Sequence, residues 1–135
     1  GELLIMKANG IEKNLVYVVD DDPFLPSLLK DLCEHYGKRV GTFSSGDKAL
    51  EAIQAGGRPE VLITDQQMPG ITGVELSEEV MKCSPGTYRF LHSGYSDLGN
   101  SIQTALSKEV INEFGVKPDS LRNIKALMQR DNYTH

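Results

Sequence analysis

The stretch "LVYVVDDDP", residues 15–23, decides the fold, because it sets three acidic residues directly behind a continuous apolar run. Such a run, rich in β-branched residues, is typical of a central parallel strand that is covered on both faces. Asp20, Asp21 and Asp22 repel one another, since each pair at ~5 Å and an effective dielectric of ~20 costs roughly 3 kcal/mol. We therefore expect a positive charge that offsets this cost near the end of the strand.

Outward from this stretch, apolar runs alternate with amphipathic stretches along the chain. The predicted strands cover 15–19, 39–43, 61–65, 88–93 and 110–116, and the predicted helices lie in 23–37, 44–57, 72–84, 96–108 and 118–130. Crossovers of this length force the strands to be parallel, with helices on both faces of the sheet. The pattern predicts a doubly wound α/β fold.

Two helix starts carry their own signals. Asp22 before Pro23 is typical of an N-cap with proline at the first helical position, whereas Pro26 deletes a backbone donor and is expected to distort the first turn. Thr72-x-x-Glu75 matches a capping box. The apolar face of the first helix is predicted to hold Leu25, Leu28, Leu29, Leu32 and Tyr36.

Composition places the chain among ordinary globular domains. Its 135 residues fit one domain, predicted over 14–131, with residues 1–13 as an N-terminal extension or expression remnant and 132–135 as a tail. The net charge of −5 argues against a nucleic-acid surface. Without a signal peptide or a long apolar run, we expect a cytoplasmic protein that binds no membrane. Cys33 and Cys83 fall in predicted helices and are expected to be reduced thiols.

Polar side chains stand where the predicted strands end. The first strand ends in Asp20 and Asp21, the third in Asp65 and the fourth in Ser93, and the fifth leads into Lys117. In an open parallel sheet, ligands bind at the carboxyl ends of the strands, where the strand order reverses. These five residues are therefore expected to converge on one edge.

The chemistry of this set predicts a metal beside a phosphoryl group. Three carboxylates with no protein cation between them suit a hard cation, and oxygen ligands favour Mg²⁺, bound by Asp21 and Asp65 directly and by Asp20 through water. Lys117 and the Ser93 hydroxyl suit an oxyanion next to that metal.

Four motifs in register resemble the signatures of the receiver domain of bacterial two-component response regulators. They are "VVDDDP" (18–23), "LITDQQMPGITG" (62–73), "HSGYSD" (92–97) and "EFGVKP" (113–118), and the resemblance covers residue 15 to about residue 130. It implies a flavodoxin-like three-layer sandwich with five parallel strands in the order 2-1-3-4-5. It also implies a signalling switch rather than an enzyme, one that catalyses only its own phosphorylation and dephosphorylation.

The resemblance assigns roles to particular residues. Asp65 would accept the phosphoryl group from the phosphohistidine of a histidine kinase, and the backbone carbonyl of Gln67 would join Asp20, Asp21 and Asp65 around Mg²⁺. Ser93 and Lys117 would contact the phosphoryl oxygens, and a cis Lys117–Pro118 bond is expected.

The family also implies a switch and a set of partners. Phe114 would be the aromatic switch residue that turns inward when the Ser93 loop closes, and the output surface would be the fourth helix, fifth strand and fifth helix. A sensor histidine kinase or a phosphotransfer protein is the expected partner. The output domain and a phosphorylation-linked homodimer are left open.

Several alternatives stand beside these roles. Strand alternation is expected to point His92 away from the phosphoryl site, and Gln67 and Tyr95 are candidates for tuning the phosphate lifetime. Asp20-x-Asp22 formally fits a haloacid-dehalogenase-type phosphatase, which also needs a further acidic pair and usually a cap domain. The second alternative is a receiver-like protein-binding module that is never phosphorylated, although such modules usually lack one of the acids, the lysine or the hydroxyl.

Overall fold

Five strands form one parallel sheet in the order β2-β1-β3-β4-β5. The computed structural model describes residues 10–94 and 99–133. The predicted doubly wound fold and strand order are confirmed, since every neighbouring pair of strands is parallel. The strands are β1 (Glu12–Val19), β2 (Arg39–Phe43), β3 (Pro59–Asp65), β4 (Tyr88–Ser93) and β5 (Glu113–Val116).

Five helices cover the two faces of the sheet. They are α1 (Leu25–His35), α2 (Gly46–Gln54), α3 (Gly73–Cys83), α4 (Asn100–Ser107) and α5 (Ser120–Met128). Apolar side chains of α1 and α5 form one core cluster with the sheet, and those of α2, α3 and α4 pack on the opposite face. Within 10–94 and 99–133, no helix has the length and apolar character needed to cross a membrane. Both cysteines are free, as predicted.

Several element boundaries differ from the predicted ones, among them those of β1, β5 and α4. β1 begins at Glu12, which pairs with Pro59 of β3, so the strand reaches into the predicted N-terminal extension. β5 begins at Glu113 rather than at residue 110, because the carbonyl of Val110 accepts a hydrogen bond from the Arg89 side chain instead of joining the sheet. Helix α4 begins at residue 100, and residues 96–98 of its predicted span lie outside the described residues.

The start of α1 corrects two expectations. The N-cap of α1 is Phe24 and not Asp22, because the helix begins only at Leu25. Asp22 instead holds the turn before the helix, since its Oδ1 accepts hydrogen bonds from the N–H groups of Phe24 and Leu25, both at 2.8 Å. Pro26 therefore lies in the first helical turn, where its missing donor has no intrahelical acceptor, and the expected distortion was wrong. Leu28 is 54% exposed and does not belong to the buried face.

The capping box of α3 is confirmed. Thr72 Oγ1 accepts from the N–H of Glu75 at 3.1 Å, and Glu75 Oε1 accepts from the N–H of Thr72 at 2.9 Å. Immediately after it, the N–H of Gly73 donates to the carbonyl of Gln66, and a Cβ on Gly73 would collide with the main-chain carbonyl of Asp65. The helix start is thus packed directly against the end of β3.

Candidate functional site

The acidic residues converge at the carboxyl edge of the sheet, as the strand ends predict. The β1–β3 register sets Val19 beside Thr64, which places Asp20 next to Asp65. Carboxylate oxygens of Asp20, Asp21 and Asp65 all lie within 4.8 Å of one another. Asp20 and Asp65 are buried, whereas Asp21 is exposed, so the cluster opens to solvent on one side.

Lys117 reaches into the cluster and supplies a protein cation. Its Nζ lies 3.1 Å from Asp20 Oδ2 and 3.2 Å from Asp65 Oδ2. Its backbone N–H donates to the carbonyl of Ser93 at 2.7 Å, which fixes the start of the loop after β5 beside β4, and the Lys117–Pro118 bond is cis as expected. The prediction that no protein cation lies between the carboxylates was wrong, because the long lysine side chain crosses the end of β4.

Lys117 does not fully offset the negative charge. Burial raises the pKa of Asp65, and the neighbouring charge of Asp20 raises it further, against the opposite influence of Lys117 and of the Gln66 N–H. Burial alone would lower the pKa of Lys117, but the charges and hydrogen bonds of Asp20 and Asp65 raise it overall. The ionised Asp65 carboxylate is therefore still disfavoured, and a further positive charge would be bound favourably.

The three consecutive aspartates divide into two roles. The N–H of Asp22 donates to Asp20 Oδ1 at 2.9 Å, so Asp20 presents only Oδ2 to Lys117. Asp22 itself turns to the start of α1, where hydrogen bonds from the N–H groups of Leu25 and Phe24 lower its pKa. Asp20 and Asp21 thus belong to the acidic cluster, and Asp22 belongs to the turn that leads into α1.

His92 lies beneath the cluster rather than away from it, which corrects the prediction. The β3–β4 register pairs it with Asp65, so the two side chains share one face of the sheet, and His92 Nε2 lies 3.5 Å from Asp20 Oδ2. The ring is fully buried, and burial, with a smaller influence of the Lys117 charge, lowers its pKa to about 3. The imidazole is therefore neutral. The prediction compared it with Ser93 on its own strand and ignored the register with the neighbouring strand.

The remaining predicted residues are placed as follows. Ser93 ends β4 and is fully buried, and Gln67 is exposed in the bend after β3. Phe114 pairs with Leu91 across β4 and β5 and packs, partly buried, against the apolar cluster under α4. Tyr95 lies outside the described residues. The roles predicted for these residues stay predictions.

Gln66 takes a part in the site that sequence reasoning missed. Its N–H donates to Asp65 Oδ1 at 2.8 Å, and its side-chain Oε1 accepts from the N–H of Val74 at 2.9 Å. One residue thus orients the Asp65 carboxylate and ties it to the first turn of α3. The only signal in the sequence for this role was the position of Gln66 next to Asp65. That signal is weak, because a glutamine after a strand is common.

The donor set fits a hard cation. Asp20, Asp21 and Asp65 offer only carboxylate oxygens, and one of the three is open to solvent. Their charge exceeds that of the Lys117 ammonium, which is the one cation among them in the described ranges. Oxygen ligands and room for retained water are what Mg²⁺ requires.

Comparison with known proteins agrees with this geometry. The family model of the response regulator receiver domain matches residues 16–129. The DNA-binding transcriptional regulator NtrC of Escherichia coli K12 is 28% identical over 120 residues, which are 89% of this chain and 25% of NtrC. The chain therefore spans about a quarter of the length of this relative.

Two solved structures are similar over most of the chain. Response regulator TrrA from Thermotoga maritima, in complex with Mg²⁺-BeF, has a TM-score of 0.69 and 28% identity, and the match covers 85% of this chain and 98% of TrrA. The beryllofluoride-activated NtrC4 receiver domain dimer has a TM-score of 0.74 and 25% identity, and the match covers 86% of this chain and 93% of that one.

Proposed function

The chain belongs to the family of response regulator receiver domains of two-component systems, and on that basis we propose that Asp65 accepts a phosphoryl group from a phosphohistidine. The observation that carries the proposal is Lys117, whose ammonium lies 3.2 Å from Asp65 Oδ2. An Asp65 oxygen forms a bond to phosphorus while the P–N bond of the donor breaks, and that electron pair stays on the donor's nitrogen. The product is an acyl phosphate on Asp65.

Asp20, Asp21, Asp65 and the backbone carbonyl of Gln67 are the residues that would hold Mg²⁺. The metal, when bound, neutralises the phosphoryl oxygens as the group crosses. The chain's own contribution is mostly position. The Gln66 N–H holds Asp65 Oδ1, and the main-chain hydrogen bond from Lys117 to Ser93 sets the lysine beside the acceptor.

The new phosphoryl group supplies the energy for a switch. It brings about −1.5 to −2 charges at neutral pH. Charge-assisted hydrogen bonds from Lys117 and Ser93, at roughly 1.5–3 kcal/mol each, sum to about 3–6 kcal/mol. Moving a two-state equilibrium from 1:99 to 99:1 takes about 5.5 kcal/mol. In this proposal Phe114 follows the Ser93 loop and alters the surface of α4, β5 and α5.

The partners follow from the same proposal. The phosphoryl donor is a sensor histidine kinase or a phosphotransfer protein in the cytoplasm, and the altered surface acts on an output domain or a downstream protein. A phosphorylation-linked homodimer is the proposed state after activation. It is supported by the beryllofluoride-activated dimer among the similar structures.

Intact mass spectrometry after incubation with acetyl phosphate and Mg²⁺ tests the proposal. Wild type is compared with Asp65→Asn and with Asp22→Asn, a matched control that keeps an acceptor oxygen in the turn before α1. We expect one phosphoryl group on wild type and on Asp22→Asn, none on Asp65→Asn, and none when Mg²⁺ is chelated.

Two other outcomes would overturn this function. If wild type gains no phosphoryl group and beryllofluoride with Mg²⁺ also fails to bind, the domain is a phosphorylation-independent binding module. If small phosphate esters are turned over, and Asp20→Asn but not Asp65→Asn abolishes turnover, the phosphatase alternative is correct.

A further inference from the structure

A single carboxylate oxygen, Asp20 Oδ2, faces two nitrogen donors. Lys117 Nζ lies 3.1 Å from it and forms a hydrogen bond, whereas His92 Nε2 lies 3.5 Å from it, too far for one. The His92 ring is fully buried, and neither of its nitrogens has a hydrogen-bond partner in the described part of the chain. A buried polar ring with no partner is uncommon enough to need an explanation.

The proposed function takes Lys117 away from that oxygen. Its ammonium must turn toward the phosphoryl group on Asp65, and the Asp20 side chain, which has no exposed surface, then loses the donor at Oδ2. The N–H of Asp22 continues to hold Oδ1 and does not replace it. In that state Asp20 would also hold Mg²⁺, but the metal does not replace the hydrogen bond that Lys117 gave to Oδ2. Loss of a hydrogen bond at a buried carboxylate is unfavourable.

We propose that His92 is a positioning residue, one that donates its Nε2–H to Asp20 Oδ2 when Lys117 turns to the phosphoryl group. This inference rests on the proposed function. An approach of about 0.6 Å, from 3.5 Å to the usual ~2.9 Å, completes the hydrogen bond. His92 thereby keeps Asp20 aligned as a metal ligand in the phosphorylated state. In the resting state the ring lies beside Asp20 Oδ2, which already accepts a hydrogen bond from Lys117.

Nitrogen NMR of the histidine rings tests the hydrogen bond directly. We expect the Nε2–H tautomer in wild type, with an Nε2–H signal that moves downfield and exchanges more slowly when Mg²⁺ and beryllofluoride are added. Lys117→Met removes the competing donor and should produce the same change with no ligand present. His92→Gln identifies the signal, and His35→Gln, which alters an exposed ring on α1, should leave it unchanged.

An affinity series separates a donor from a packing role. His92→Leu should weaken beryllofluoride binding in the presence of Mg²⁺ by about ten- to a hundredfold, the loss expected for a hydrogen bond to a charged group. His92→Gln, whose amide places a donor near the position of Nε2, should stay within about threefold of wild type. Equal losses in the two variants would mean that the ring only fills space, and would overturn the inference.

The NMR arm keeps this inference distinct from the proposed function. If wild type does not bind beryllofluoride with Mg²⁺, the phosphoacceptor function fails, and the ligand-free Lys117→Met protein still decides the role of His92. An Nδ1–H tautomer, or an Nε2–H signal that does not move in Lys117→Met, refutes the hydrogen bond. A shift in Lys117→Met but not in activated wild type refutes the coupling to phosphorylation.

Discussion

Replacing Lys117 by methionine removes the only ammonium that the described residues place among the three clustered carboxylates, and it keeps the length of the side chain. At 3.1 and 3.2 Å, each ion pair amounts to about 5 kcal/mol at an effective dielectric of ~20, before desolvation is subtracted. Removing one partner of a buried pair costs roughly 3–5 kcal/mol. Because the lysine side chain is 27% exposed, solvent screening lowers the expected loss to about 2–4 kcal/mol.

Urea unfolding followed by far-UV circular dichroism measures this loss. With a denaturant slope of about 2 kcal/mol per M, the midpoint of Lys117→Met should fall by about 1–2 M in the absence of divalent cations. In an Asp65→Asn background the same change should cost less, because one of the two carboxylates that face the lysine is gone. Saturating Mg²⁺ should also reduce the difference, since the metal supplies the missing charge. A loss below about 0.5 kcal/mol, or an equal loss in both backgrounds, would refute the reasoning, because surface pairs behave in that way.

Three further predictions follow from the site and its frame. The pKa of folded Asp65 is raised above its ordinary value of 3.8, so its ionisation opposes folding as pH rises through the folded pKa. Asp65→Asn should therefore be more stable than wild type at pH 7 and lose that gain near pH 4. Equal urea midpoints of the two proteins at both pH values would contradict this. Gly73→Ala drives a methyl group into the Asp65 main-chain carbonyl and should cost roughly 1–3 kcal/mol, with slower phosphoryl uptake. Gly99→Ala is the control, since a Cβ there meets no atom of the described residues within 4 Å. Thr72→Ala breaks the capping box and should lower the free energy of unfolding by about 1 kcal/mol, measured by thermal unfolding with phosphoryl uptake retained.

The alternation of apolar runs with amphipathic stretches was sufficient to predict the doubly wound α/β class, and the resemblance to the receiver family supplied the order of the strands. Continuous apolar runs at 15–19 and 61–65 are buried central strands, and β1 and β3 do pair at the centre of the sheet. The rule that parallel strands end at one edge then brought Asp20 and Asp65 together without knowledge of any side-chain position. The starts of the strands were predicted less well. For example, β5 begins only at Glu113, after the carbonyl of Val110 has accepted a hydrogen bond from the Arg89 side chain.

Contacts between side chains on neighbouring strands could not be predicted from the pattern within each strand. The pattern within one strand says which residues share a face, but only the register between strands says which residues stand side by side. His92 was assigned by its alternation with Ser93, whereas its pairing with Asp65 brings it under Asp20. The reach of Lys117 to Asp20 and Asp65 was missed for a similar reason, since its position after β5 does not show that its side chain crosses β4. The direction in which a long, flexible side chain extends depends on the charges around it in the fold, and the residues next to it in the sequence do not specify that direction.

The positive charge of Lys117 explains why the fold tolerates the acidic cluster of Asp20, Asp21 and Asp65, and it also suits the cluster to act as a switch. Lys117 forms ion pairs with both Asp20 and Asp65, so it stabilises the resting cluster. The proposed chemistry needs the same cation at the phosphoryl group. With a divalent cation bound to the same carboxylates, Lys117 would no longer be needed to offset their charge. The phosphoryl group would then draw the lysine away, and His92 would be the described donor nearest to Oδ2 of Asp20, 3.5 Å from it. In the proposed mechanism, each charge that enters the site frees another donor to move, and a change at one carboxylate would pass in this way to β4, β5 and the helices beside them.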